Sequence, residues 1–175
     1  ILADLLTVQE TFGSLAGLTL TYLGDGNNVA HSLLLGCALV GMNVHVATPP
    51  EYKPLPAIVE QAKAIAGNRS EVLITEDPEA AVKGTQVLYT DVWASMGQEA
   101  DAAARIPIFQ PYQLNESLLS LADPKAIALH CLPAHRGEEI TDGVMEGQQS
   151  KIWDQAENRL HAQKALLASL LGAGV

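Results

Sequence analysis

The stretch LTLTYLGDGNNVAHSLLLGCALVG, residues 18–41, decides the fold. Leu18 to Gly24 reads as a strand, built from alternating threonine and large apolar residues. Gly24-Asp25-Gly26-Asn27-Asn28 breaks it, and the apolar run that follows reads as a helix ended by Gly41. Strand, glycine turn and helix make the opening of a β–α unit, and the rest of the chain repeats the pattern. NVHVATP (43–49) is a second strand, stopped by Pro49 and Pro50, and LPAIVEQAKAIAG (55–67) an amphipathic helix. EVLITED (71–77) is a third strand, DPEAAVKG (77–84) a short helix, and TQVLYTDVW (85–93) carries a fourth strand. Residues 94–113 read as irregular, NESLLSLAD (115–123) as a short helix, AIALHCLP (126–133) as the fifth strand, and about Gln155 to Leu171 as the last helix.

Strands alternating with helices predict an α/β fold: a Rossmann-like open parallel sheet of five strands with helices on both faces. The common order is 3-2-1-4-5, with the switch point between the first and fourth strands. The chain has 175 residues, 48% of them hydrophobic and 17% charged, so it can bury a core as one globular body without staples. A net charge of −10 with dispersed Lys and Arg argues against nucleic acid as a partner. No apolar run reaches membrane-spanning length. Two cysteines, Cys37 and Cys131, make no disulfide framework, which suits a reducing, cytoplasmic compartment. The first residues, ILADLLTVQETFG, look like a helix already under way, so the natural protein is expected to begin earlier.

Polar clusters follow three of the strands. They are Gly24 to Asn28 after the first, Thr90-Asp91-Val92-Trp93-Ala94-Ser95-Met96-Gly97 after the fourth, and His130-Cys131-Leu132-Pro133 after the fifth. In the order 3-2-1-4-5 these ends are neighbours on the carboxyl side of the sheet, where open α/β sheets bind ligands. Each cluster has a plainer reading. Asn27 or Asn28 can cap the helix, whose N–H groups would also welcome an anion, and Asp91 can form a turn. A dinucleotide reading of GDGNNV fails on Val29 in place of the third glycine and on Thr48 where an acid would hold a ribose. His130, Cys131 and His135 fit no usual zinc spacing. A Cys131 nucleophile needs a base, and adjacent His130 faces the other way on a strand. Leu132-Pro133 is open to either a cis or a trans bond. Arg159, placed near the start of the last helix, opposes the helix macrodipole, which suggests an anion as its reason.

Taken together, LADLLT, GDGNNVAHS, TDVWASMGQE, LHCLPAHRGEEIT and DQAENRLHAQKALL resemble the ornithine carbamoyltransferases over nearly the whole chain. The resemblance implies transfer of the carbamoyl group of carbamoyl phosphate to the side-chain amine of L-ornithine, giving L-citrulline and phosphate. It implies no metal or organic cofactor, two domains and a homotrimer, while charge and hydropathy speak against a nucleic-acid or membrane partner. The family's Ser-Thr-Arg-Thr and His-Pro-x-Gln motifs of the amino-terminal domain do not occur here. The chain is therefore expected to be the ornithine-binding half, inactive alone and lacking the carbamoyl phosphate domain. Residues 1–16 would link from that domain, 17–150 would form the ornithine-binding α/β domain, and 151–175 would bridge back. By motif position, Asn28, Asp91, Ser95 and Met96 are implied to bind ornithine. Cys131, Leu132 and Arg159 are implied at the carbamoyl phosphate, and Asp91, Cys131 and Arg159 in catalysis. Cys131 is read as a positioning thiol or thiolate. The alternatives are a non-catalytic module for a basic amino acid or a carbamoyltransferase for a related amine. Leu2, Leu5, Leu6, Leu166, Leu167 and Leu170 are expected to lack neighbours and to promote self-association.

Overall fold

The computed structural model describes residues 1–94 and 102–172. Its elements run α1 (Leu2–Phe12), β1 (Thr19–Leu23), α2 (Asn28–Val40), β2 (Asn43–Ala47), α3 (Pro56–Ala66), β3 (Val72–Thr75) and α4 (Pro78–Val82). They continue with β4 (Val87–Thr90), α5 (Ala102–Phe109), α6 (Glu116–Leu121), β5 (Ile127–His130), α7 (Asp142–Met145) and α8 (Ile152–Leu170). The five strands pair in parallel, as the alternation predicts, in the expected common order β3-β2-β1-β4-β5. No helix among the described residues is long and apolar enough to cross a membrane.

Alternation along each strand divides the core between two faces. Val87 and Tyr89 of β4, with Ile127 and Leu129 of β5, pack under α1, α2 and α3. Leu88 and Ala128, the residues between them, pack under α4, α6 and α7. Both faces are thus covered, the requirement for a parallel sheet. Asn27 caps α2, its Oδ1 accepting from the N–H groups of Val29 (2.9 Å) and Ala30 (3.3 Å). Gly41, at φ 77°, ends that helix in the left-handed conformation. Gly26 is fixed by a close approach: a methyl group there would overlap backbone atoms of Tyr52, Lys53 and Pro54.

Three elements differ from the sequence reading, one of them the short helix α7 (Asp142–Met145), which that reading did not include. The stretch 94–113 contains helix α5, which the sequence hides because Pro107 lies inside it and removes a backbone donor. The last helix starts at Ile152, three residues before the expected Gln155. Arg159 is then the eighth residue of α8, beyond the first turn where the macrodipole acts, so that explanation of its position does not hold.

Polar side chains join α1 to α8. Asn158 Nδ2 donates to Thr7 Oγ1 (3.0 Å) and Glu10 Oε2 (2.7 Å). Gln155 Nε2 donates to Asp4 Oδ1 (2.7 Å) and Tyr89 Oη (3.1 Å), while its Oε1 accepts from the His130 N–H (2.9 Å). Gln155 therefore pegs α8 to β4, β5 and α1 at once. Of the leucines expected to lack neighbours, Leu2, Leu166, Leu167 and Leu170 are exposed, whereas Leu5 and Leu6 are half-buried, Leu5 against the core. Replacing Gln155 by Ala strands several buried polar groups. A loss of about 2 kcal/mol is expected, read as a fall in Tm of about 4–8 °C. An unchanged melting curve would contradict the peg.

Candidate functional site

Register alone brings the three polar clusters together. Leu23 of β1 lies opposite Thr90 of β4, and Thr90 lies opposite His130 of β5. The next residue on each strand is Gly24, Asp91 or Cys131, so these three stand side by side at the carboxyl end of the sheet. Asp91 joins them. Its Oδ1 accepts from the Cys131 thiol (2.9 Å) and from the N–H of Val92 (2.8 Å), and its Oδ2 accepts from Asn27 Nδ2 (3.1 Å). Asn27 thus serves twice, capping α2 with its oxygen and holding Asp91 with its nitrogen. A carboxylate has about four acceptor positions, so one remains for a ligand.

A cavity of about 790 Å³ opens beside this centre, lined among others by Asn28, Cys131, Leu132, Gln155 and Arg159. Asn28 is exposed at the first position of α2, released from capping because Asn27 does that work. The N–H groups of Val29 and Ala30 are satisfied by Asn27, so this helix start is a weaker anion site than the sequence suggests. Arg159 lies one helical turn beyond Gln155, and residues four apart share a helix face. The peg that fixes Gln155 consequently turns Arg159 toward the cavity, where the side chain is exposed and makes no ion pair among the described residues. Of the residues singled out by sequence, Asn28, Cys131, Leu132 and Arg159 line the cavity, and Asp91 is bonded to Cys131 at its edge. Ser95 and Met96 lie outside the described residues.

The environment decides the state of Cys131. Burial, reinforced by the Asp91 carboxylate, pushes its thiol well up from the ordinary value. Both effects favour the S–H form of the two that the sequence left open, and the S–H donates to Asp91. Burial pushes Cys37 up to about 12, so it stays an inert core thiol. His130 is committed at both nitrogens: Nδ1 accepts from the Leu132 N–H (2.8 Å), and Nε2 lies 3.1 Å from Glu139 Oε1. With Nδ1 accepting, Nε2 carries the proton and donates to Glu139. His130 is therefore neither a base for Cys131 nor its partner in a metal pair. It holds the backbone of the Leu132 turn, where Leu132 has φ 58° and the Leu132-Pro133 bond is cis.

Four features escaped the sequence reading: the second role of Asn27, the His130–Glu139 pair, the Gln155–Asp4–Tyr89 network, and an ion pair between Asp25 and Arg105. Arg105 also lies over the Tyr52 ring at 4.6 Å and the Phe109 ring at 5.0 Å. Burial raises the Asp25 pKa, and Arg105 opposes that rise. Gln155 and Asn158 had a visible signal, since they are three residues apart on one face of a helix. Arg105 had none once its segment was read as irregular.

Residues 16–170 match the aspartate/ornithine carbamoyltransferase, Asp/Orn binding domain family. The chain belongs to that family. It is 73% identical over 173 residues to the ornithine carbamoyltransferase of Nostoc punctiforme, an alignment covering 99% of this chain and 56% of that protein. It is 71% identical over 171 residues to that of Thermosynechococcus vestitus, covering 98% of this chain and 55% of the relative. The crystal structure of ornithine carbamoyltransferase from Gloeobacter violaceus superposes with a TM-score of 0.89 at 60% identity, covering 96% of this chain and 56% of that one. The ornithine carbamoyltransferase of Pyrococcus furiosus gives 0.91 at 50% identity, covering 95% and 53%. The chain thus spans about half the length of the carbamoyltransferases it matches.

The Asp91–Cys131 contact gives a chemical test within this carbamoyltransferase domain. The negative carboxylate opposes thiolate formation, so Asp91→Asn lowers the Cys131 pKa and raises the thiolate fraction at fixed pH. Iodoacetamide labelling of Cys131, followed by mass spectrometry at pH about 8, near the free-thiol pKa, should then proceed faster than in the unsubstituted chain. Cys37 should remain unlabelled as the control for unfolding. An equal or slower rate would contradict the assignment.

Proposed function

We propose that this chain supplies the ornithine-binding half of an ornithine carbamoyltransferase. The reaction is carbamoyl transfer from carbamoyl phosphate to the side-chain amine of L-ornithine, giving L-citrulline and phosphate. The observation that carries the reading is one cavity lined by Asn28, Cys131, Leu132 and Arg159, with Asp91 hydrogen-bonded to Cys131. High identity to proteins named ornithine carbamoyltransferase supports the choice of amine.

The chemistry follows from the charges. Ornithine enters with a cationic side-chain ammonium, which an anionic Asp91 attracts. The amine attacks only after losing its proton, and a closed, water-poor cavity favours the neutral form. Its lone pair then adds to the carbamoyl carbon. Collapse of the adduct breaks the bond to the phosphate oxygen, and the amine's second proton leaves as the product forms. Cys131, a neutral thiol tied to Asp91, positions the amine without becoming covalently attached. The Leu132 carbonyl and the turn held by His130 face the carbamoyl group, and Arg159 offers a cation to the phosphate. Asn28 holds the amino-acid end, with Ser95 and Met96 assigned beside it by resemblance. Alignment of two substrates supplies much of the rate, with charge stabilisation by arginine supplying more.

Residues 1–16 and 151–175 are proposed as the segments that bridge to an amino-terminal, carbamoyl phosphate-binding half, with 17–150 as the ornithine-binding body. Exposed Leu2, Leu166, Leu167 and Leu170 on α1 and α8 support a surface that such a half would cover. A cytoplasmic homotrimer is proposed for the intact enzyme on the family resemblance alone.

The test is citrulline formation by this chain, with and without the separately expressed amino-terminal half of the Nostoc punctiforme relative. Activity only on addition is expected. Ornithine binding with no activity in either case would favour a non-catalytic amino-acid module. In the complemented enzyme, Cys131→Ser should keep measurable turnover, because a hydroxyl still donates to Asp91. Complete loss with ornithine binding intact would make Cys131 a covalent participant.

A further inference from the structure

We infer that His135, Glu138 and Glu139 form a binding site for a single divalent transition cation of the zinc class. The loop they share is built by its own contacts. The His135 N–H donates to Glu139 Oε1 (2.6 Å), and the Glu138 N–H donates to the His135 carbonyl (3.0 Å). From outside the loop, Gln113 Nε2 donates to the carbonyls of Gly137 (3.0 Å) and Glu138 (2.7 Å). One ligand atom from each of His135, Glu138 and Glu139 lies within 4.8 Å of the others.

Glu139 supplies the observation that points to a ligand. Its side chain is 0% exposed, and Oε1 is occupied by His130 Nε2 and the His135 N–H. Oε2 is equally buried and has no hydrogen-bond partner among the described residues. A buried carboxylate oxygen left bare is costly, and a cation satisfies it. The facing group is His135 Nδ1, 3.8 Å from Oε2. Tetrahedral zinc bonds of about 2.1 Å set neighbouring ligand atoms about 3.4 Å apart, so small side-chain rotations close the site. His135 is exposed and Glu138 half-buried, which gives an ion a path from solvent and leaves room for coordinated water.

The donor set chooses the ion. One imidazole with two carboxylates suits zinc-class cations, whereas Ca²⁺ takes six to eight oxygens and Mg²⁺ an octahedral, mostly hydrated shell. The nearby cation Arg136 does not compete, because it is paired with Asp142 (2.6 Å) and Glu146 (2.5 Å). Glu139 also holds His130, which fixes the Leu132 N–H, so occupancy would be felt at the Cys131-Leu132 turn. The site itself does not depend on the proposed carbamoyl transfer.

The experiment uses the untagged chain, stripped with chelator, titrated with Zn²⁺ by calorimetry and with Co²⁺ by visible absorption. One ion per chain is expected, with Co²⁺ bands of a nitrogen–oxygen site. Binding should vanish in His135→Ala and in Glu138→Gln, which change accessible side chains and leave the core untouched. It should persist in Cys131→Ser. The proposal is overturned by no stoichiometric binding to the unsubstituted chain or by binding that survives His135→Ala. A sulfur-to-cobalt charge-transfer band that disappears in Cys131→Ser would equally overturn it.

Discussion

The site depends on one buried carboxylate, that of Asp91. It stands at the end of β4 with donors from three directions: Asn27 from the β1–α2 turn, Cys131 from the end of β5, and the neighbouring Val92 N–H. Burying an ionised carboxylate is unfavourable unless donors surround it. The three donors together offset that cost. Parallel register supplies the coarse alignment, and the carboxylate draws it to hydrogen-bond distance. Burial, reinforced by the carboxylate's charge, raises the Cys131 pKa and so favours the S–H that donates to Asp91.

The second constraint lies on the helix side. Gln155 accepts from the last strand residue, His130, and donates to Tyr89 and Asp4. Through it the rotation of α8 is fixed by the sheet. Arg159 is carried by that rotation to the cavity that Cys131 and Leu132 also line. The floor of the cavity and its cationic wall are thus set by two polar contacts to adjacent strands. The outer positions of α8, Leu160, Leu167 and Leu170, remain exposed. One helix therefore carries both a site residue and an apolar surface.

Much of the fold was legible in the sequence because its signals are local. Proline and glycine stops, such as Pro49 and Gly41, divide strands from helices, and alternation implies a parallel sheet, whose observed order is the common one. The convergence of residues 24–28, 91 and 131 also followed, since it needs only the order of the strands. Choices among nearly equivalent side chains did not follow. Asn27 and Asn28 are identical residues in adjacent positions, and only the direction of the α2 axis decides which one caps and which faces the cavity. Glu139 carries no mark that its two oxygens meet different surroundings. Pro107 hid α5, and with it the Arg105 that pairs with Asp25. Arg159 drew attention for a macrodipole reason that the earlier helix start removes, and it lines the cavity for a different one.

The central claim is that three strand ends act as a single ligand site organised by Asp91. The most direct measurement is a titration of the isotope-labelled chain with L-ornithine, followed by NMR at the backbone amides of Asn28, Asp91 and Cys131. On this account the three resonances move together with one affinity, and their common response is lost in Asp91→Asn. Shifts confined to one strand end, or a response unchanged by that substitution, would contradict it.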